Sequence, residues 1–554
     1  MRTVKRKPII DYNEYDIIDE KIWKIRGIKL DDVPNFLEPP KDFIRNPFEL
    51  LNMDIVVKRI LKALQNNEKI VVYADTDCDG VTSCAIIYNY FRVYTNHIYY
   101  VSNQRKEGHG VIVNKVDKDT DLLIIVDSST NSSNECKEIS QFCDVIILDH
   151  HDKSVDNPYA TIVNPQICNY ENKFLSGATV CYQLCRAFDM INGYEFADNF
   201  LDLACVGMVG DMMKLDNLEN RAIAFHGLKN IHDMCQGEFF DGNIGLSRLF
   251  KGLKKDFMPT TQDISFYIAP CINAIVRLGD IYDLLELFTT SNTKICNQLV
   301  KMIIEKNEDR KKLTTEITKD IIDKNLINDD KIIIIDETEF EYDSAMFGLI
   351  ANKIGQQYQR PCFFGKVVNG EFKGSGRSFG EEVKLKTELR NSKLFTLAEG
   401  HESSFGVGFK YENIDKIKNY FNDKFKNYFN EVFINYDLEL SYDELSEYNL
   451  NLIDKISKIC GEGFEPPRFL IKGLEIDKSD KIGKEKNHTK LTISDDIDLN
   501  IMKFNTDENT FEYDYSDYIN VVGIIGMNYF YHFGKKEMIT TKQILSDYIE
   551  CIYL

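Results

Sequence analysis

The chain reads as an α/β protein: a doubly wound parallel-sheet domain, a long connecting helix, a smaller α/β domain and a C-terminal β-rich module of OB type. Three observations predict it. Apolar strand-like runs alternate with helical stretches between Asp54 and Asp211. A charge-rich helical pattern follows from Asp280 to Asn325. From about Asn435 the runs become short and alternating, with little helix. At 554 residues the chain is also too long for a single core.

The elements follow in order. Residues 1–53, with Pro39, Pro40 and Pro47, read as an arm wrapping onto the body. Residues 54–279 form the parallel-sheet domain. An amphipathic helix over Asp54–Leu64 leads into a β-branched run, Lys69–Tyr73. Helices are expected at Thr82–Val93 and Ser132–Phe142, and strands at Leu122–Val126 and Val145–Leu148. A further strand-like run, Leu201–Val209, ends in Gly210 and Asp211. Residues 280–328 give the connecting helix, and the charges from Glu305 to Lys312 make a solvated face. The second α/β domain, 329–434, opens with Lys331–Ile335 and holds glycine-rich loops at Gly374–Ser378 and Gly400–Gly408. Residues 435–554 carry the β-rich module, including a basic stretch, Lys481–Lys490, that is either a solvated turn or a strand-tracking loop.

Composition narrows the function. A net charge of −21 argues against a broad basic surface for duplex binding, and leaves room only for a narrow electropositive path. No apolar run is long enough to span a bilayer, so no membrane role is expected. The basic N-terminus lacks a signal peptide's apolar core. The fourteen cysteines contain no C-x-x-C pair and fit reduced, buried thiols in a cytoplasmic protein. The Asn-, Lys- and Ile-rich composition points to an AT-rich genome; if that genome is viral, the compartment is the host cytoplasm.

The chemistry lies in V-Y-A-D-T-D-C-D-G-V-T, Val72 to Thr82. Asp75, Asp77 and Asp79 stand where a strand ends, the usual ligand position in an open α/β sheet. They would repel one another strongly without cations between them, and hard oxygen donors suit Mg²⁺ or Mn²⁺. Cys78, among these acids, is expected to pack and not to react. Asp127, then Asp149, His150 and His151, then Asp211 each follow a strand-like run. Taken singly, an Asp at a strand end is commonly a helix N-cap. Taken together, parallel strands bring these groups to one sheet edge, where they make a mixed oxygen and nitrogen site large enough for two divalent ions.

D-x-D-x-D-G, a strand-end Asp, D-H-H and a later Asp resemble the DHH phosphoesterase superfamily, and the wider chain resembles its RecJ branch of single-strand-specific exonucleases. The ordered matches begin with R-G-I at Arg26–Ile28, N-P at Asn46–Pro47 and M-D at Met53–Asp54. N-Q-R-K-E-G-H-G at Asn103–Gly110 is similar to the branch's N-R-x-x-E-G-Y-G element. N-P at Asn164–Pro165, E-N-R at Glu219–Arg221 and A-P-x-I-N-A at Ala269–Ala274 follow. G-S-G-R-S at Gly374–Ser378 and G-H-E at Gly400–Glu402 resemble the DHH-associated domain, DHHA1. The resemblance implies Asp75, Asp77, Asp79, Asp127, His150 and Asp211 as ligands of two Mn²⁺ or Mg²⁺ ions, with Asp127 bridging. It implies His151 against the scissile phosphate or a water at the ions. Arg105, Arg277, Ser375, Arg377 and His401 match positions that line the DNA path and hold a 5′ phosphate, and the G-S-G-R-S loop would add backbone N–H groups. Tyr73, Phe379 and Phe405 lie near motifs as stacking candidates, none of them singled out.

Some positions depart from the family pattern. Val276 replaces a glycine before Arg277, Glu399 replaces the first glycine of G-G-H, and Gly461–Pro467 only loosely matches the glycine- and proline-rich entry to the OB domain. These changes spare the acids and fall around the strand grip. The expected activity is 5′→3′ hydrolysis of single-stranded DNA to mononucleotides in repair, recombination or replication, by a monomer, with a helicase or single-strand-binding protein as partner. The alternatives are a phosphodiesterase acting on oligoribonucleotides or cyclic dinucleotides, and a non-catalytic strand-binding scaffold.

Overall fold

The structure is a computed structural model. It describes residues 3–8, 18–238, 241–338, 342–380, 384–400, 402–427, 431–483, 486–494, 498–504, 517–532 and 537–552. The chain divides into two compact units. One comprises Arg6–Val276, Asp280–Ile304 and Ile434–Leu554; the other comprises Met1–Lys5, Arg277–Gly279 and Glu305–Phe433.

The larger unit is built on five parallel strands: β1 (Ile70–Ala74), β2 (Ile98–Ser102), β3 (Leu122–Val126), β4 (Asp144–Leu148) and β5 (Thr161–Val163). Their order across the sheet is β2-β1-β3-β4-β5. β1 and β3 are buried along their whole length, which is why they read as unbroken apolar runs. The order reverses between β1 and β3. In open α/β sheets ligands bind at such a switch point, beyond the carboxyl ends of the strands.

The helices that matter for the site are α1 (Met53–Gln65), α2 (Cys78–Phe91), α3 (Gly177–Asn192), α4 (Leu201–Gly210) and α5 (Leu218–Gln236). α2 starts four residues earlier than the apolar pattern places it, because the Asp77 carboxylate accepts the Gly80 N–H at 3.0 Å and caps the helix. The expected strand over Leu201–Val209 is a helix. Every residue of α4 up to Val209 is buried, so no polar stripe marks a helical period, and an apolar run of this length is compatible with either element.

The smaller unit holds a sheet in the order Leu397–Gly400, Ser404–Lys410, Glu371–Arg377, Cys362–Val368, Ile333–Asp336. Here the glycine-rich G-S-G-R-S is not a loop. Gly374 through Arg377 lie in a central strand paired on both sides, and the Ser378 N–H donates to Ser403 O at 3.0 Å. Its amides are therefore committed, and the anion-binding backbone expected there is withdrawn. The glycines serve packing: a Cβ on Gly374 would lie 2.7 Å from Gly365 Cα, and one on Gly376 2.8 Å from Phe405 Cζ. The helical stretch after Asp280 is two helices, Ile281–Thr289 and Thr293–Asp323, and the second runs from one unit into the other.

Among the described residues, the C-terminal segment of the larger unit forms a seven-stranded sheet with one helix, Glu447–Ser457, against it. The basic stretch Lys481–Lys490 falls on an edge hairpin, Lys478–Ile482 with His488–Ser494. This segment shares a continuous apolar core with the N-terminal arm and the parallel-sheet domain. The Arg221 guanidinium, fully buried, is 3.7 Å from the Phe36 ring centroid and 4.7 Å from that of Phe464. It donates to the carbonyls of Phe36 (2.8 Å), Leu215 and Ile459 (3.1 Å each). Two further bonds cross the same seam, Leu215 N–H to Glu462 O at 2.8 Å and Thr261 Oγ1 to Cys460 O at 2.7 Å.

Candidate metal centre

Strand register assembles the site. Ala74, Val126 and Leu148 are paired neighbours at the carboxyl edge, and each is followed by an aspartate: Asp75, Asp127, Asp149. Asp127 turns away from the sheet with φ +59°, and Ser129 follows at +75°. Left-handed backbone at a residue bearing a side chain costs roughly 1–2 kcal/mol, a cost the surrounding packing must over-determine. Part of that packing is α3, which begins at Gly177: a Cβ there would lie 2.6 Å from Asp127 Cβ. The first α3 amides also fix Asp79, whose carboxylate accepts from Gly177 N at 2.6 Å and Ala178 N at 3.0 Å.

Asp211 arrives by a helix terminus and not by a strand. α4 closes with Met213 N–H on Met208 O (3.1 Å) and Met212 N–H on Val209 O (3.2 Å), the paired bonds of a Schellman cap. The left-handed position of that cap, usually glycine, is Met212, at φ +56° and 67 % exposed. Met212→Gly is expected to raise stability by about 0.5–1 kcal/mol without moving Asp211, read as a higher thermal midpoint with unchanged cation affinity. A lower midpoint would show that the exposed Met212 side chain stabilises the fold.

Among the described residues, three sets of side chains could each hold a cation, with ligand atoms within 4.8 Å of one another: Asp75, Asp77 and Asp127; Asp79, His150 and Asp211; Asp127, His150 and His151. His150 Nε2 lies 3.2 Å from Asp127 Oδ1, 3.4 Å from Asp211 Oδ2 and 3.8 Å from Asp79 Oδ2. Asp75 Oδ1, Asp127 Oδ1, His150 Nε2 and Asp211 Oδ2 are buried without a hydrogen-bond partner. Orphaned acceptors in such density are costly unless a cation binds them, so the donor set fits hard divalent ions.

Burial, then mutual repulsion, raises the carboxyls: Asp127 well above its usual range, Asp79 as well, and Asp211 to about 8. Burial and the neighbouring His151 lower His150. Asp149 is not in any of the three sets; it organises them. Its Oδ1 accepts from His150 N (2.7 Å), His151 N (3.2 Å) and His151 Nδ1 (2.8 Å), and its Oδ2 from Thr130 N (3.0 Å). Burial alone would lower His151, but the Asp149 bond and charge outweigh it and raise the imidazole to about 10. His151 is thus a half-exposed cation at the rim.

A pH dependence follows for protein freed of cations. A carboxyl whose pKa is higher folded than unfolded keeps an extra proton in the folded state across that gap, so stability falls as pH rises through it. For Asp211 the window runs from 3.8 to about 8. His150, lowered from 6.5, opposes the trend only up to that value. The chelated protein should melt at a lower temperature near about pH 8 than near about pH 5, and added Mn²⁺ should stabilise it more at the higher pH, where ligands shed protons more readily. A flat or rising midpoint in chelator would contradict the buried carboxyl cluster.

Other expected site residues divide by location. Arg105 Nη1 donates to Thr76 O at 3.1 Å, placing it at the acid turn. Arg277, Ser375 and Arg377 belong to the smaller unit. Arg277 donates to Ala345 O, and the Arg377 guanidinium packs on Gly348, both at the start of helix Phe347–Tyr358. His401 lies outside the described residues. Tyr73 and Phe405 are buried and cannot stack on bases; the Tyr73 hydroxyl bonds Asn103 and Ile112. Phe379 is half-buried. Cys78 is buried, and burial pushes its thiol well up, as a packing role requires. Every cysteine is free, and all but Cys168 and Cys551 are buried. No helix among the described residues is long and apolar enough to cross a membrane. One residue at the site was not nominated from sequence: His109, whose Nδ1 lies 3.0 Å from Asp75 Oδ2.

Residues 69–208 match the DHH family, N-terminal domain, and residues 436–540 match the RecJ OB domain. The chain thus carries one segment similar to the DHH family and, after it, one similar to the RecJ OB domain. It is 28% identical, over 90% of both chains, to the YorK protein of the SPbeta prophage in Bacillus subtilis (strain 168), whose name provisionally assigns it as a single-strand DNA-specific exonuclease. It is 25% identical to the single-stranded-DNA-specific exonuclease RecJ of the same organism, covering 91% of this chain and 64% of that protein. A crystal structure of RecJ in complex with Mn²⁺ from Thermus thermophilus shares the fold, with TM-score 0.76, 19% identity, and coverage of 100% of this chain and 80% of that one.

Proposed function

We propose that the chain is a cytoplasmic 5′→3′ exonuclease that hydrolyses single-stranded DNA to mononucleotides in repair, recombination or replication, using two Mn²⁺ or Mg²⁺ ions. The observation that carries this reading is the convergence of Asp75, Asp77, Asp79, Asp127, His150 and Asp211, four of whose buried ligand atoms have no other partner. The names of the YorK and RecJ relatives, and the Mn²⁺ and Mg²⁺ in two solved RecJ structures, support it.

Divalent ions in the site would supply Lewis acidity: charge neutralisation on the phosphodiester and on the leaving oxygen, and activation of water. The chain's own groups do the rest. Asp127, in the set with Asp75 and Asp77 and 3.2 Å from His150 of the set with Asp79 and Asp211, would tie the two sets together. Asp149 holds both histidines, so that His150 keeps Nε2 toward the carboxylates while His151 stays protonated at the rim. A protonated imidazole there can hold a phosphate oxygen while excluding nothing from the acid cluster. Arg105 is placed to steady the strand beside the acid turn. In the smaller unit, Arg277, Ser375 and Arg377 would hold a 5′ phosphate, because guanidinium forks at a helix start suit a terminal phosphate.

The test uses 5′-phosphorylated single strands labelled at either end, with Mn²⁺. Loss of the 5′ label as mononucleotide is expected; equal cutting of duplex, or cleavage of dinucleotides alone, would replace this reading. Arg377→Ala is expected to erase most of the preference for a 5′ phosphate over a 5′ hydroxyl, a change of roughly tenfold or more. Competition between the two substrates measures it, and an unchanged preference removes Arg377 from the pocket.

A further inference from the structure

His109 stands on a loop that reaches the acid turn at two places, through Arg105 and through His109 itself. The loop starts at the end of β2, where Asn103 turns its amide back onto the carbonyls of Gly108 (3.4 Å) and Gly110 (2.7 Å). Gln104 and Glu107 cap each other's backbone, and Arg105 reaches Thr76 O. Beyond the histidine, the Val111 N–H donates to Ser129 Oγ at 3.0 Å and the Ile112 N–H to Tyr73 Oη at 3.1 Å. Gly108 and Gly110 take φ +100° and +80°, conformations that give the loop its two sharp bends on either side of His109.

The loop thus brings His109, its side chain 60 % exposed, to one contact at the site, Nδ1 to Asp75 Oδ2 at 3.0 Å. Asp75 is 4% exposed, and its other oxygen, Oδ1, is buried with no partner. The carboxylate thus has one oxygen occupied by an N–H donor and the other aimed into the set it shares with Asp77 and Asp127. We infer that His109 is a positioning residue: it holds Asp75 by one oxygen so that the other binds the cation of the Asp75–Asp77–Asp127 set. Hydrogen bonds to a ligating carboxylate typically matter by about 10–100-fold in metal affinity. Because His109 touches neither Asp79, His150 nor Asp211, its influence falls on one cation of the pair.

The inference rests on the two-cation reading, and Mn²⁺ titration followed by electron paramagnetic resonance, on the intact chain, separates the two. Wild-type protein should take up two Mn²⁺; failure to bind any would sink the cation reading itself. His109→Ala should weaken one Mn²⁺ by about 10–100-fold and leave the other unchanged. His109→Asn, whose Nδ2 can occupy the place of the imidazole Nδ1, should restore most of that loss. Thermal melting in chelator reports folding, and both variants should melt within a few degrees of wild type. Wild-type-like binding of both ions by His109→Ala, equal weakening of both, or no recovery in His109→Asn would overturn the inference while leaving the two-cation site standing.

Discussion

Asp127→Ala should cut strand hydrolysis roughly ten-thousand-fold or more, about 5 kcal/mol of transition-state stabilisation, while single-strand binding changes only a few-fold. The size follows from the position. Asp127 belongs to the set with Asp75 and Asp77, and its Oδ1 lies 3.2 Å from His150 Nε2 of the set with Asp79 and Asp211, so its loss degrades both. Losing Asp77 would leave the sets around His150 whole, and a milder defect is expected from Asp77→Ala. The αL backbone at Asp127 matters too, since alanine there keeps the strain without the ligand. End-labelled single strands read the turnover, and filter binding in chelator reads the strand affinity. Turnover above about a tenth of wild type would remove Asp127 from the shared position.

The second large effect is on folding. At Gly207, in the middle of α4, a Cβ would lie 2.5 Å from both Ala178 Cβ on α3 and Asp79 Oδ1 on α2. Three helices meet there with no room for a methyl group, so Gly207→Val must push at least one of them off the sheet edge. A loss of about 3 kcal/mol or more is expected, at the upper end of overpacking costs, together with weakened Mn²⁺ binding in whatever folds. Gly526→Ala, where a Cβ meets nothing within 4 Å, is the comparison and should melt close to wild type. Similar midpoints for the two variants would mean that the helices yield more easily than their packing suggests.

Much of this was legible in the sequence because a parallel sheet writes itself plainly. Strand Leu122–Val126 has the ends that the apolar run gives it, and the acids after it and after β1 follow from the switch-point rule. The motif order also led to the DHH and OB segments that the family matches recover. Illegible features share a cause: local patterns there serve a tertiary purpose. α4 reads like a strand because three neighbours bury it completely. G-S-G-R-S reads like a phosphate loop because glycines mark both loops and tight strand crossings. Asp149 gave no sign that it would hold the histidines and not a cation, since spacing alone does not say which carboxylate of a cluster faces inward. His109 could have been noticed as the one imidazole in a stretch flanked by two glycines, but only the fold brings it to Asp75.

The seam around Arg221 has a kinetic meaning. The buried guanidinium joins the arm at Phe36, the helix that follows Asp211, and the C-terminal segment at Ile459 and Phe464 in one core. If the C-terminal sheet grips the strand, it does so without a tether, and every nucleotide it passes arrives at a fixed distance from the acids. There would then be no linker entropy to lose at each step, and a strand held there would stay close to the acids.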